Sequence, residues 1–143
     1  MGGFFMDDLK KHEVSQWLIK SIHDVRSARR LFSDEPPLRD TAVYHCQQAM
    51  EKALKAFLTL NETVFPKTHL LTILLEQCIE VDHDFEELRD AAEILTPYAT
   101  AFRYPGDYLE PSDTEAQEAI ELADLALNFV MQRMPHEIST FVS

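Results

Sequence analysis

The sequence contains little glycine and no long apolar run. It has only three glycines in 143 residues, whereas the many turns of an all-β chain consume glycine, so we predict an all-α fold. No stretch approaches the roughly 18 consecutive apolar residues of a transmembrane helix, and the first residues hold no apolar segment of signal-peptide length. We therefore expect a cytoplasmic protein that makes no contact with membrane.

Residue patterns that bind metals or cofactors are also missing. The two cysteines, Cys46 and Cys78, lie within helical patterns and form no CxxC or zinc spacing. The sequence has no P-loop, no GxGxxG, no HExxH, no EF-hand loop and no paired ExxH set of the di-iron bundles. It therefore predicts no metal and no cofactor, and two reduced cysteines in the core.

Basic residues are scarce. The chain has 13 Lys and Arg against 25 Asp and Glu, which gives a formal charge of −12. The summed field repels phosphate polyanions, so non-specific binding of nucleic acid is excluded. A role with nucleic acid would have to rest on a local basic patch.

Apolar residues recur at steps of three and four, the period of amphipathic helices. Five helices are predicted: from 7 to 32, from an Asp40 cap to 61, from a Thr68 cap to about 79, from 84 with a break at Thr96-Pro97, and from 112 to 134. Short connectors favour antiparallel neighbours. We predict a single domain, residues 1–143, built as an up-and-down antiparallel helical bundle with its core at about 8–134 and a tail at 135–143.

The second predicted helix carries the most distinctive segment, YHCQQAMEKALKA at residues 44–56. Small residues at 42, 49, 53 and 56 would let another helix approach closely. Because helical neighbours are three and four residues apart, the polar side chains form two adjoining stripes: Tyr44, Gln48, Glu51 and Lys55 on one, and His45, Gln48 and Lys52 on the other. These donors favour a phosphate or base, although Glu51 and Lys55 also have the spacing of an ordinary solvated ion pair.

Two further segments hold residues suited to ligand chemistry. In AFRYPGDY, residues 101–108, Arg103 offers a planar fork for phosphate, or it is simply a cation in the last turn before a Pro-Gly stop. His69 titrates near neutrality and would suit proton transfer. It would equally serve to cap or cover the core in the first turn of the third helix.

The order of these segments resembles the HEPN domain family. The resemblance rests on QQAMEKALKA at 47–56, KTH at 67–69 and RYP at 103–105, and spans about residues 8–134. It implies a bundle with a four-helix core, commonly a homodimer, with a nucleotide or RNA bound in the cleft between facing helices. It also implies a minimal nucleotidyltransferase as a partner, in toxin–antitoxin pairs.

The resemblance leaves enzymatic activity open. Family members that cleave RNA carry an arginine followed four to six residues later by a histidine. Arg103 matches the arginine, but Tyr108 stands near the expected histidine, and the next histidine is His136. Because tyrosine, with a pKa near ~10, is a poor base at neutral pH, we favour a module that is not an enzyme.

The first hypothesis is therefore a HEPN-type module that binds a nucleotide or RNA, a nucleotidyltransferase partner, or both. Its predicted ligand-binding residues are Arg103, Tyr104, Asp107, Tyr108, Tyr44, His45, Gln48, Lys52 and Lys55. One alternative is an endoribonuclease in which Arg103 works with a displaced base, His69 or His45. Another is a non-enzymatic homodimeric interaction protein whose apolar third helix forms the dimer seam.

Overall fold

Six α-helices and two 3₁₀ segments make up the regular structure of this computed structural model, which describes residues 7–106 and 109–143. The α-helices are α1 (Asp8–Ser33), α2 (Arg39–Leu60), α3 (Leu71–Val81), α4 (Arg89–Leu95), α5 (Asp113–Met131) and α6 (His136–Val142). The 3₁₀ segments, His83–Leu88 and Thr96–Ala99, flank α4. These described residues contain no strand, and the all-α prediction is confirmed. None of their helices combines the length and apolarity needed to cross a bilayer.

The first two helices form a long antiparallel pair. Contacts between them join ever earlier residues of α1 to ever later residues of α2, from Asp24 with His45 to Ser21 with Ala49. The Ser21 hydroxyl donates to the Ala49 carbonyl at 2.6 Å, so the two backbones approach closely. The predicted small residues are fully buried, as expected of a close helix contact: Ala42, Ala49, Ala53 and Ala56.

An aromatic cluster ties α2 to the second half of the chain. The ring centroids of Phe57 and Phe85 are 4.3 Å apart, and those of Phe85 and Phe129 are 4.9 Å apart. Such pairs contribute about 0.5–1.5 kcal/mol each beyond the burial of their surface. The cluster joins α2, the first 3₁₀ segment and α5, and it places α2 at the centre of the core.

The starts of two helices differ from the prediction. Helix α2 begins at Arg39, and Asp40, expected as its cap, lies in the first turn and accepts the Thr41 N–H at 2.8 Å. Helix α3 begins at Leu71 rather than directly after Thr68, whose hydroxyl instead accepts the Leu70 N–H at 3.1 Å. His69 therefore lies in the connector, because its backbone and ring are bound by residues of α2.

The second half of the chain also departs from the expected pattern. The fourth predicted helix is short and has a 3₁₀ segment at each end. Its break at Thr96-Pro97 is confirmed, since the Thr96 hydroxyl donates to Ala92 O at 2.6 Å and the second 3₁₀ segment begins at Thr96, with Pro97 in its first turn. Helix α5 starts with a capping box between Ser112 and Glu115. The segment predicted as a tail forms α6, because Ile138 is fully buried against the core.

Candidate functional site

A buried carboxylate on α1 holds two basic side chains of α2. His45 Nδ1 lies 2.7 Å from Asp24 Oδ1, and Lys52 Nζ donates to Asp24 Oδ2 at 2.6 Å. We call these three residues the Asp24 cluster. An ionised carboxylate only accepts hydrogen bonds, so the proton of the shared contact belongs to His45 Nδ1. Among the described residues His45 Nε2 makes no hydrogen bond, which leaves it available to a ligand.

A second buried carboxylate, Glu51, lies further along α2. It accepts hydrogen bonds from Lys55 Nζ at 3.0 Å and from Gln47 Nε2 at 3.2 Å, and His69 Nδ1 lies 2.9 Å away. We call these four residues the Glu51 cluster. Burial raises the pKa of Glu51, but the three hydrogen bonds outweigh it and leave that pKa below the ordinary 4.5.

Glu51 and Lys55 form an ion pair, but it is not the solvated pair that their spacing in the sequence also allowed. Both side chains are buried, with relative exposures of 5% and 11%. The ammonium of Lys55 also lies 5.5 Å from the centroid of the Trp17 ring and 5.7 Å from that of Phe65. The pair therefore belongs to the interior, where the 62–70 connector closes over it.

Arg103 lies against the amino-terminal half of α2. Phe102, immediately before it and three residues after the end of the second 3₁₀ segment, has a φ of 66° in the left-handed region, which redirects the chain. The Arg103 guanidinium carbon is 4.1 Å from the centroid of the Tyr44 ring. That ring meets the His45 imidazole edge to face at 5.6 Å. Arg103, Tyr44 and His45 thus form one continuous surface, called here the Arg103 surface.

The structure brings together some of the predicted ligand-binding residues and separates others. Lys52 reaches His45 through their shared Asp24, whereas Gln48 donates to Gln47 Oε1 at 2.8 Å and so adjoins the Glu51 cluster. Lys55 is eleven residues beyond Tyr44, or about 16 Å along the helix axis, and lies apart from Arg103. Tyr104 is exposed beside Arg103. Asp107 and Tyr108 lie outside the described residues.

The two candidate replacement bases also lie at different places. His45 touches the ring that Arg103 covers. His69 is 68% exposed and binds Glu51, two helical turns or about 10 Å along α2 from Tyr44. His45 is therefore better placed than His69 to act with Arg103.

A groove that the sequence did not lead us to predict lies between α1 and α2. Its volume is about 630 Å³, and it is lined by His23, Arg26, Ser27, Arg30, Leu31, Thr41 and His45. No acidic side chain is among these lining residues. The signal was present in the sequence, because residues 23, 26, 27 and 30 follow the three- and four-residue steps of one helix face. The groove shares His45 with the Arg103 surface.

The seven arginines of the chain divide into two groups. Four form ion pairs with carboxylates: Arg29 with Asp124, Arg39 with Asp113 and Glu110, Arg89 with Glu76 and Glu86, and Arg133 with Asp82 and Asp84. Within residues 7–106 and 109–143, no carboxylate lies within ion-pair distance of the other three, Arg26, Arg30 and Arg103. All three lie on the groove or on the Arg103 surface.

The described residues match neither of two further kinds of site, a metal site and a reactive thiol. These residues contain no group of three or more His, Cys, Asp or Glu side chains placed to hold a metal ion. Cys46 and Cys78 are free and buried, as predicted. Burial raises the pKa of each thiol to about 12, so both stay protonated at neutral pH and are poor nucleophiles.

Comparison with known proteins gives a consistent result. The profile of the HEPN domain matches residues 14–134. The structure resembles the crystal structure of TT1696 from Thermus thermophilus, with 28% identity, a TM-score of 0.69, and coverage of 85% of this chain and 98% of that one. It also resembles ST0689, an archaeal HEPN homologue, with 25% identity, a TM-score of 0.68, and coverage of 85% and 97%. No curated protein sequence matches the chain.

Proposed function

Because the chain belongs to the HEPN domain family, we propose that it is a helical module that binds a nucleotide or RNA on the Arg103 surface. The observation that carries this proposal is the state of Arg103. Its side chain is exposed, lies over the Tyr44 ring, and has no carboxylate partner among the described residues. In a chain of charge −12, such an arginine is suited to an incoming anion.

The geometry of Arg103 leaves most of its hydrogen-bonding capacity to a ligand. A guanidinium has five N–H donors, and within the described residues a single one, on Nη1, donates to Ala99 O at 3.3 Å. Contact with the Tyr44 ring restrains the guanidinium and contributes about 0.5–1 kcal/mol. A restrained planar fork binds phosphate through two parallel hydrogen bonds and loses little side-chain freedom.

Membership of the HEPN domain family also supports a proposal about how the chain assembles. The module forms a homodimer and pairs with a minimal nucleotidyltransferase in a toxin–antitoxin system. Helix α3 and the residue before it offer apolar surface for such contacts, since Leu70 and Ile73 are 49% and 41% exposed. Light scattering of the purified chain tests the dimer, which a monomeric mass at micromolar concentration would contradict.

A second candidate function, RNA cleavage, is favoured by the Asp24–His45 contact. The Asp24 carboxylate accepts a hydrogen bond from His45 Nδ1, which turns Nε2, free of hydrogen bonds among the described residues, toward a ligand beside Arg103. That arrangement suits removal of a proton from a 2′-hydroxyl. In this case His45→Asn abolishes cleavage of a short RNA, whereas His12→Asn, at an exposed position of α1, leaves it unchanged.

Thermal unfolding with a panel of mononucleotides and short RNAs tests the main proposal. A ligand that binds the folded state stabilises it by RT ln(1 + [L]/Kd), or about 2.7 kcal/mol at a hundred times Kd. We expect Arg103→Gln to lose the shift and Arg29→Gln to keep it, because Arg29 is paired with Asp124 on another surface. If no ligand shifts the wild-type protein, the proposal is wrong.

A further inference from the structure

We infer that the groove between α1 and α2 binds the backbone phosphates of single-stranded RNA, so that the ligand is a chain of nucleotides rather than a mononucleotide. This inference rests on the proposed function and names the class of ligand. The groove lies outside the segments on which the family resemblance is based. It is defined by the lining residues of α1 and by Thr41 and His45 of α2.

The first argument is electrostatic. Two arginines and two histidines line the groove, and no carboxylate does, although the chain carries 25 acidic residues. Arg26 and Arg30 are exposed and have no ion pair within the described residues. Arg29, on the same helix, pairs with Asp124 of α5 at 3.1 Å. Two carboxylates adjoin the groove without lining it: Asp24 is buried and bound to His45 and Lys52, and Asp40 accepts hydrogen bonds from Thr41. A phosphate in the groove would therefore meet the two arginines before it meets an acid.

The second argument is the spacing of the basic side chains. Arg26 and Arg30 are one helical turn apart, with Cβ atoms about 5–6 Å from each other. His23 extends the row to seven residues, or about 10 Å along the axis. In double-stranded DNA, successive phosphates of one strand are separated by about 3.4 Å of helix rise, far less than the length of this row. The row therefore spans more than one phosphate, which a mononucleotide with one phosphate group could not fill.

The third argument is continuity with the Arg103 surface. His45 lines the groove and also touches the Tyr44 ring, which Arg103 covers. A strand lying in the groove therefore reaches Arg103 along His45 and Tyr44, neither of which is acidic. Arg26, Arg30 and Arg103 become three phosphate contacts along one path.

The aromatic rings favour RNA over an acidic peptide. The imidazoles of His23 and His45 and the guanidinium planes of the arginines offer faces on which unpaired bases stack. A peptide of Asp and Glu would use the same cations but would gain nothing from the rings. The two ligands are therefore separable by experiment.

Fluorescence anisotropy with labelled uridine ligands of increasing length tests the inference. A mononucleotide, a tetranucleotide and an octanucleotide are titrated into the wild type and into Arg26→Gln/Arg30→Gln. We expect the double variant to bind the octanucleotide about tenfold more weakly and the mononucleotide unchanged. Its slope of log affinity against log salt should fall by about 1.4, which corresponds to two phosphates of a single strand. The matched control, Arg29→Gln/Lys20→Gln, removes the same charge from α1 outside the groove lining.

The outcomes separate this inference from the proposed function. If the double variant and the wild type bind the octanucleotide equally while Arg103→Gln loses binding, the groove assignment is wrong and the Arg103 surface stands. If the wild type binds neither the octanucleotide nor the mononucleotide, both are wrong. If an oligoglutamate peptide displaces the octanucleotide at equal concentration, the ligand class is an acidic peptide and the RNA assignment is overturned. Urea unfolding of each variant verifies that it is folded.

Discussion

Arginine side chains have different roles in two regions of the molecule, near Arg133 and near Arg103. Arg133 donates to Asp82 at 3.0 Å, to Asp84 at 3.3 Å and to the Phe129 carbonyl at 3.1 Å, and its guanidinium lies 3.6 Å from the Phe129 ring centroid. Arg103 also lies over a ring, but within the described residues it donates only to Ala99 O. Arg133 uses three of its five donors to join the end of α5 to the residues before α4, whereas Arg103 keeps most of its donors for a ligand.

The same contrast separates the paired arginines from the groove. In a chain with about two acids for every base, an arginine that lies near no carboxylate is the exception. The paired arginines hold elements of the fold together. Arg26, Arg30 and Arg103, which pair with no carboxylate among the described residues, lie on the groove or on the Arg103 surface, and we take that as the mark of a ligand site. Each of the following variants removes one kind of charged contact and tests whether structural and ligand-binding arginines differ.

The largest expected effect comes from the Glu51 cluster. Replacing Glu51 by Ala leaves Lys55 buried without its counter-charge, and removing one partner of a buried pair costs about 3–5 kcal/mol. Urea unfolding should show that loss. Glu80→Ala, at an exposed position on α3, serves as the control and should change the free energy of unfolding by less than about 0.5 kcal/mol. A similar small change in Glu51→Ala would show that Lys55 is not a structural cation.

The next effect is at Arg133. Arg133→Gln removes hydrogen bonds to two carboxylates and should lower the free energy of unfolding by about 1.5–3 kcal/mol. Affinity for any oligonucleotide should not change. Weaker oligonucleotide binding in this variant, with unchanged stability, would reverse the assignment of structural and ligand-binding arginines.

A smaller effect appears when pH is lowered. The pKa of Glu51 is depressed in the folded protein, so its contribution to stability is fully present above the ordinary carboxyl pKa of 4.5. That contribution is lost as pH falls through the lowered pKa. The difference in unfolding free energy between the wild type and Glu51→Gln should therefore shrink as pH is lowered from neutrality to below 4.5. A difference that stays constant would contradict the ionised Glu51.

The smallest expected effect on stability is in the groove. Arg26 and Arg30 are exposed and make no ion pair within the described residues, so Arg26→Gln/Arg30→Gln should change the unfolding free energy by no more than about 0.5 kcal/mol. The same urea titration measures it. A loss comparable to that of Arg133→Gln would make these two arginines structural and would weaken their role in binding.

The sequence was a good guide where the pattern is local. The three- and four-residue periodicity located α1, α2 and α5, and the small residues of α2 correctly predicted a close helix contact. The pattern did not predict which of these side chains are buried. The Glu51–Lys55 spacing is the same on a solvated helix as in a core, and burial follows from Trp17 and Phe65, which lie on other segments of the chain.

The remaining differences also arise from tertiary contacts. Asp24 was not singled out because its partners are 21 and 28 residues away on the other helix. Helix α3 starts late because the carbonyl of His69 accepts a hydrogen bond from Gln47 at 3.0 Å, which keeps residue 69 out of the helix. The groove was missed because the sequence shows that residues 23, 26, 27 and 30 share one helix face, but it does not show which acidic side chains lie near that face in the fold.

The measurement that tests the central claim most directly is an NMR titration of an octanucleotide that follows the Nε–H signals of all seven arginines in one spectrum. The account predicts that the signals of Arg26, Arg30 and Arg103 move with the added RNA. It predicts that the signals of the paired arginines stay in place. Movement of the Arg29 or Arg133 signals, with those of Arg26, Arg30 and Arg103 unchanged, would contradict it.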